Sequence, residues 1–314
     1  MAGELRIVHF KDTDNFKKMS EAVEAAGMDW DVKAGQLLDA DTNTPIPNVV
    51  NIKRIEKDPL LPTHNLSLGI HSGKYEAVQN KNLFANFDTF LESGQVRIAS
   101  IGEMKQGRVL YAQAQIVGKE QFSVGNDGQD KVEPYIVCYN SHDGSKAFGV
   151  NQNSVRIVCQ NTLMMSTKKG NGEIMRLFHR KGVNDKIVNV IEVLDSLTKE
   201  WTEQMDLAAR LRDFKLDAVG LEKYVRQFMG VKPTDDLKGR TKTRFDGIMN
   251  SALTSPGNSP TDINLWSAYN GATYYLTHIG GKQENRLYDN YFGTKADQNY
   301  EAFHQALNFA SLAV

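Results

Sequence analysis

The sequence is poor in cysteine, has no long apolar run and carries almost no net charge. Its 314 residues include two cysteines, Cys138 and Cys159, which excludes a disulfide scaffold and fits a reducing cytoplasm. Stretches of about eighteen apolar residues are missing, and the N-terminus has no basic start with an apolar segment, so neither a membrane span nor a secretory signal is predicted. The net charge of −1 excludes a uniformly basic surface, although a local basic stripe can still contact phosphates. We expect a cytoplasmic protein that does not enter a membrane.

The sequence also lacks the motifs of common catalytic and metal sites. It contains no phosphate-binding loop of the Walker type, no Gly-x-Ser-x-Gly nucleophile elbow and no His-Glu-x-x-His zinc pair. Asp39 and Asp41 lie in a segment rich in Asp, Asn and Pro, which is typical of a solvated turn. Both cysteines lie in apolar strand patterns, where a thiol usually behaves as a small buried hydrophobe. We therefore expect no cofactor and no metal, and a function in binding rather than in catalysis.

The N-terminal part has the pattern of short strands joined by turns. Residues 1–65 are predicted to form a strand–helix unit and an irregular segment, and residues 66–183 an antiparallel β-rich core. The segments of this core that predict strands are LSLGI, KYEAVQ, QVRIASIG, RVLYAQAQI, EPYIVCYN, KAFGV and SVRIVC. We expect an α+β fold, in which an antiparallel sheet built of hairpins carries helices on one face and is followed by a mainly helical part.

Residues 184–314 are predicted to form this helical C-terminal region. Apolar side chains recur at three- and four-residue steps from Ile187 to Leu211 and predict one long, acid-rich helix over about 185–213. A second helix is predicted over 217–229, and the stretch 231–263 is predicted to be loop-rich with a short helix. The rest, 264–312, is predicted to be helical with interruptions near its glycines, and the small residues after Trp266 favour close helix packing.

Two basic patches are conspicuous in this nearly neutral chain, between residues 167 and 181 and between residues 232 and 244. Because lysine and arginine neutralise phosphates, these side chains and one strand arginine are candidate contacts to a nucleic-acid backbone. The candidates are Arg156, Lys168, Lys169, Arg176, Arg180, Lys181, Lys238, Arg240, Lys242 and Arg244. A plain solvated surface, or basic and acidic faces stacked between subunits, would explain the same pattern. Phe178, His179 and Phe245 lie within the patches, and their spacing favours a core position over base stacking.

His142-Asp143-Gly144 has two interpretations. A His–Asp pair is typical of acid–base catalysis, but the position between two predicted strands, with Asp-Gly at the tip, matches a type I′ hairpin turn. The turn is the favoured interpretation. In the alternative, an enzyme site would combine His142 and Asp143 with His179 or His278.

Several strings of the sequence together resemble the phage-and-plasmid family that carries domain of unknown function 932. The matching pieces are Tyr75 with Gln79-Asn80, the Ser141–Ser145 turn, the Arg156–Leu163 run, Trp266, Asn270–Thr273, His278, Arg286, Phe292-Gly293 and Ala302. The resemblance covers about 28–310, but the Trp-His-x-x-Gly opening of relatives is missing. It implies a viral or mobile-element origin and a setting in the cytoplasm of the host cell, and it supplies no activity.

The order of hairpins and a long helix is similar, at the level of the fold alone, to the core of single-strand annealing recombinases of the Redβ, RecT and Rad classes. Together with the basic patches, this similarity implies a non-enzymatic single-stranded DNA-binding and strand-annealing protein that acts in recombination or replication as a ring or filament. Two alternatives stay open. One is an interaction or inhibitory protein whose acidic helix, within 185–217, contacts a host factor. The other is a metal-dependent enzyme that uses His142 and Asp143.

Overall fold

The computed structural model of the chain describes residues 6–11, 16–83, 88–117, 122–124, 130–156, 161–163, 165, 173–183, 191–282 and 286–311. The chain forms two compact units. Unit 1 contains residues 1–118, 136–151 and 173–194, and unit 2 contains residues 119–135, 152–172 and 195–314. Each unit is therefore assembled from separate segments of the chain.

The strands pair in antiparallel fashion. They are β1 (Arg6–His9), β2 (Asp31–Gly35), β3 (Val49–Ile55), β4 (Ser67–Ser72), β5 (Val96–Met104), β6 (Val109–Ile116), β7 (Phe122–Ser123), β8 (Lys131–Ser141), β9 (Phe148–Arg156), β10 (Asn161–Leu163) and β11 (Glu173–Leu177). In unit 1, β2, β3 and β4 form one sheet in that order, and a larger sheet has the order β1-β5-β6-β8-β9, with β11 also paired to β9. In unit 2, β7 pairs with β8 and β10 with β9. Val96 and Ile98 of β5 are buried and Arg97 between them is more exposed, which is the predicted period of two.

Most helical residues lie in the C-terminal part of the chain. The helices of the described residues are α1 (Met19–Ala25), α2 (Asn80–Leu83), α3 (Asp88–Glu92), α4 (Ile191–Asp213), α5 (Ala218–Met229), α6 (Gly239–Thr254), α7 (Leu265–Tyr274), a π-helical turn (Tyr275–Ile279), α8 (Arg286–Phe292) and α9 (Thr294–Phe309). The predicted α+β class, with antiparallel sheets first and helices afterwards, is confirmed. Among the described residues, no helix combines the length and the apolar character that a membrane span requires.

The core of unit 2 is formed by the apolar faces of its helices. Trp201, Ala208 and Leu211 of α4 are buried at the predicted helical spacing, and they belong to the same cluster as Trp266 of α7. Asp217 begins α5 by accepting a hydrogen bond from the amide of Gly220, and a left-handed Gly230 ends this helix at the predicted residue. Full burial of each large apolar side chain contributes about 1.5–3 kcal/mol, so this cluster contributes strongly to the stability of unit 2.

Close helix packing occurs where the small residues predicted it. Residues Leu265–Thr273 of α7 are all buried. A Cβ atom at Gly271 would lie 2.4 Å from the backbone nitrogen of Ala252 in α6, so the missing side chain lets the two helices approach. Trp266 and Tyr269 are consequently core residues.

Two strand predictions were wrong. KYEAVQ forms no strand, because the amide side chain of Gln79 replaces backbone pairing: it accepts from the amide of Val32 at 2.9 Å and donates to the carbonyl of Val32 at 2.7 Å. KAFGV and SVRIVC do not form two strands, because β9 runs without a break from Phe148 to Arg156. Gln152 and Asn153, which lie between the two predicted strands, are buried within β9.

The stretch 231–263 does contain a helix as predicted, but the helix is not short, because α6 occupies sixteen of its residues. Gly247 suggested a break, but it is a packing glycine: a Cβ atom there would lie 2.5 Å from the Tyr275 ring. The predicted helix interruptions at Gly280-Gly281 and Gly293 are confirmed. Of the predicted helix 185–213, residues 185–190 lie outside the described residues.

Candidate functional site

Unit 1 contains a cleft of about 1110 Å³ that three chain segments surround. The first segment is 71–76, at the end of β4, the second is 144–147, in the loop between β8 and β9, and the third is 176–181, at the end of β11. Because Leu177 of β11 pairs with Phe148 of β9, the residues after β11 lie beside that loop. The amide of Glu76 donates to the carbonyl of His179 at 3.3 Å and joins the first segment to the third.

Three aromatic rings are stacked in this cleft. The ring centres of His71 and Tyr75 are 4.0 Å apart with an interplanar angle of 19°, and those of Tyr75 and His179 are 4.8 Å apart with an angle of 13°. Burial lowers the pKa of His179, although the bond to the Glu76 carbonyl acts in the opposite direction. Burial also raises the pKa of Tyr75, so its phenol is neutral at physiological pH. Tyr75 and His179 therefore present neutral aromatic surface in this stack.

Hydrogen bonds to backbone carbonyls fix the three rings. His71 donates from Nε2 to the carbonyl of His142 at 2.8 Å, and Tyr75 donates its hydroxyl proton to the carbonyl of Ser141 at 3.3 Å. His179 donates from Nδ1 to the carbonyl of Glu76 at 3.2 Å. The ring planes are thus set by the backbone of unit 1.

Basic side chains outnumber acidic ones around the cleft. Among the described residues, its lining contains five lysines or arginines and one acid. The basic side chains are Lys74, Lys146, Arg176, Arg180 and Lys181. The acid, Glu76, accepts a hydrogen bond from the amide of Gly182 at 3.0 Å, so it is engaged with the chain's own backbone. The cleft is a concentrated positive site in a chain whose net charge is −1.

Phe178 is an exposed aromatic side chain in the same lining. It is 59% exposed, so the expectation that it lies in the core was wrong. The guanidinium carbons of Arg176 and Arg180 lie 5.5 and 5.7 Å from the centre of its ring, within the range of cation–π contacts. Phe245, in contrast, packs against the core of unit 2 as expected.

The predicted backbone contacts fall into different environments. Arg176, Arg180 and Lys181 line the cleft, whereas Lys168 and Lys169 lie outside the described residues. The cleft also contains two lysines that sequence reasoning missed, Lys74 and Lys146. Each is an isolated basic residue next to a turn, so no run of charge marks it in the sequence.

Arg156 is a buried structural residue of unit 2 and is removed from the candidate contacts. Its Nε and Nη2 donate to the two carboxylate oxygens of Asp130 at 2.6 and 2.7 Å, and it is fully buried. Its other N–H groups donate to the carbonyls of Pro256 and Gly257 and to the side chain of Asn258 at 2.9–3.3 Å. All five guanidinium donors are thereby used inside the protein.

The second basic patch lies on and beside α6 of unit 2. Lys238 pairs with Asp236 at 2.8 Å, and Lys242 pairs with Asp246 at 3.0 Å. Arg244 lies over the ring of Phe228, donates to Gln298 at 3.2 Å and has its pKa lowered by burial. Arg240 is exposed. Nearby acids therefore offset much of the charge of this patch.

His142 and Asp143 do not form an acid–base pair. The His142 ring is fully buried, donates from Nε2 to Asn80 Oδ1 at 3.0 Å and has its pKa lowered to about 3, chiefly by burial and then by His179 and His71. Asp143 instead accepts the amide of Ser145 at 2.8 Å, an interaction typical of a turn. The residues do connect β8 and β9, but the connection spans 142–147 and is not the expected two-residue type I′ turn.

The remaining candidate groups have structural surroundings. His278 belongs to unit 2 and packs against Tyr274 in a tilted arrangement, with ring centres 4.6 Å apart and an interplanar angle of 44°. Asp39 accepts hydrogen bonds from the amides of Asp41 and Thr42, as expected of a turn. Cys138 is buried, which raises the pKa of its thiol, and Cys159 lies outside the described residues. Within the described ranges, no three His, Cys, Asp or Glu side chains are grouped as a metal site would need.

The fold and the cleft define an α+β protein with a basic, aromatic-lined site in unit 1. The family model described as Domain of unknown function (DUF932) matches residues 67–306, a range that includes all three cleft segments. Because this range is well over half of the 314 residues, the chain belongs to the DUF932 family. Comparisons with the curated proteins and with the solved structures gave no match.

Proposed function

We infer that this protein is a non-enzymatic single-stranded DNA-binding protein that holds the phosphate backbone in the cleft of unit 1 and promotes strand annealing. The observation that carries the proposal is the convergence of five basic side chains and four aromatic rings on one cleft. Positive charge binds the phosphates, and aromatic surface suits bases that are not paired.

The distribution of charge around the cleft supports a polymeric ligand. Its volume of about 1110 Å³ lies near the upper end of the range of roughly 300–1,000 Å³ that is typical of ligand pockets. Its basic residues come from three separate chain segments, so positive charge lies on more than one side of the cleft. Such a distribution suits several consecutive phosphates better than a single anion.

Annealing adds a second requirement, which is that the base edges stay free to pair. Lysine and arginine contacts to phosphates leave those edges free, because they carry no sequence information. The proposed assembly is a ring or filament, in which the exposed acids of α4, Glu203 and Asp206, contact a neighbouring subunit. The proposed setting is recombination or replication of a phage or mobile element in the cytoplasm of its host.

Binding of labelled oligonucleotides tests the proposal. Wild-type protein is titrated into single-stranded DNA and into a duplex of equal length at low salt. We expect tighter binding to the single strand, and we expect the charge reversal Arg180→Glu with Lys181→Glu to weaken it strongly. The matched control is Arg240→Glu with Lys242→Glu in α6, which changes charge by the same amount outside the cleft and should leave most of the affinity.

The outcomes separate the parts of the proposal. Failure to bind single strands at low salt would exclude the function, and a loss confined to the α6 variant would exclude the cleft as its site. If the protein binds single strands but does not accelerate the pairing of complementary oligonucleotides, binding stands and annealing does not.

A further inference from the structure

Phe178 is held in an exposed position by the local backbone. The amide of Arg180 donates to the carbonyl of Phe178 at 2.7 Å, which closes a three-residue turn directly after β11. Within this turn His179 is buried, whereas Phe178 and Arg180 are exposed. The sequence Phe-His-Arg thus places an aromatic ring and a cation in solvent on the cleft side of the turn.

An exposed phenylalanine between two arginines suits a ligand with both planar and anionic parts. The ring offers an apolar face, and the guanidinium groups of Arg176 and Arg180 lie near it at 5.5 and 5.7 Å from its centre. A simple polyanion would use the two cations and leave the ring in water. A nucleotide uses both, because its base is planar and its phosphate is charged.

We propose that Phe178 stacks on an unpaired nucleobase while Arg176 and Arg180 bind the phosphates beside it, so that the ligand of the cleft is a base-bearing single strand. This inference rests on the function proposed above and specifies its recognition element. His71, Tyr75 and His179 line the same cleft, where the first two are half-buried and the third is buried. Their stack forms further aromatic surface below the proposed position of the DNA single strand. Duplex DNA cannot offer Phe178 a base to stack on, because the bases of a duplex are already stacked on one another.

The test compares two probes of equal length and charge: oligothymidylate and an abasic deoxyribose-phosphate chain. Removal of a stacking aromatic weakens binding by roughly 5- to 150-fold per base. We expect Phe178→Ala to lose affinity for oligothymidylate within this range, to keep its affinity for the abasic chain and to keep the wild-type salt dependence. Phe178→Trp should retain tight binding, and its indole fluorescence should be quenched by oligothymidylate but not by the abasic chain.

The control variant is Leu60→Ala, which removes another exposed apolar side chain of unit 1, 89% exposed and outside the cleft lining. It should bind both probes like wild type. If Phe178→Ala binds oligothymidylate as tightly as wild type does, or weakens on both probes equally, stacking by Phe178 is excluded while the phosphate contacts stand. If wild-type protein binds neither probe, the proposed function and this inference fail together.

Discussion

Lys74 and Lys146 line the cleft although each is an isolated basic residue in the sequence. They allow a quantitative prediction of the salt dependence of DNA binding. If the cleft binds the backbone, removing both should reduce the salt dependence of single-strand binding, although they are distant in sequence from 176–181. Each neutralised phosphate of a single strand contributes a slope of about −0.7 to the plot of log affinity against log salt concentration. The basic side chains of the described lining therefore give a slope of about −3.5, and the variant Lys74→Ala with Lys146→Ala about −2.1.

These slopes correspond to a difference that titrations resolve easily. Between 50 mM and 200 mM salt, wild-type affinity should fall about 130-fold and that of the double variant about 20-fold. The assay is fluorescence anisotropy with labelled oligothymidylate at several salt concentrations. Lys17→Ala with Lys33→Ala is the matched control, because both lysines are exposed in unit 1 and neither lines the cleft. An unchanged slope in the cleft variant, or an equal reduction in the control, would refute the assignment of the cleft.

Three further predictions concern the stability of the units. Because the pKa of His142 is lowered from 6.5 to about 3, this side chain is neutral in the folded protein, and its contribution to folding stability is present above pH 6.5 and is lost as the pH falls. In denaturant titrations, the stability advantage of wild type over His142→Gln should therefore shrink by about 1.4 kcal/mol per pH unit below 6.5. A difference that stays constant with pH would contradict this. Gly271→Ala should lower the melting temperature and reduce the free energy of unfolding by about 1–3 kcal/mol, because the new Cβ would overlap the backbone of Ala252. This loss is expected although alanine has the higher helix propensity. A higher melting temperature would contradict the described packing. Arg156→Leu should cost about 3–5 kcal/mol, since it leaves the Asp130 carboxylate buried without its partner, and a loss below 1 kcal/mol by chemical denaturation would show that the ion pair is dispensable.

The sequence predicted the elements whose signals are local. Gly230 marks the end of α5, and the spacing of Trp201, Ala208 and Leu211 marks the buried face of α4, because helix ends and helix faces depend on residues a few positions apart. The sequence wrongly predicted a strand at 74–79, because the partner of the Gln79 side-chain amide is Val32, which is distant in sequence.

The site was predicted in part for the same reason. Arg176, Arg180 and Lys181 form a visible run of charge, and the structure places them in one lining. Arg156 has a similar local context at the end of a strand, and its burial depends on Asp130 and on residues 256–258, a hundred positions further along the chain. Local charge therefore cannot separate an arginine that is available to a ligand from one that is bonded inside the protein.

The chain passes between its two units five times, and the strands β8 and β9 contribute residues to both. A single cut at any position therefore leaves at least one unit without one of its segments, so neither unit can be isolated by truncation from one end. Functional dissection of this protein should rely on substitutions within the full chain, because even a fragment that keeps all of one unit, such as 1–194 for unit 1, also contains segments of the other unit without their partners.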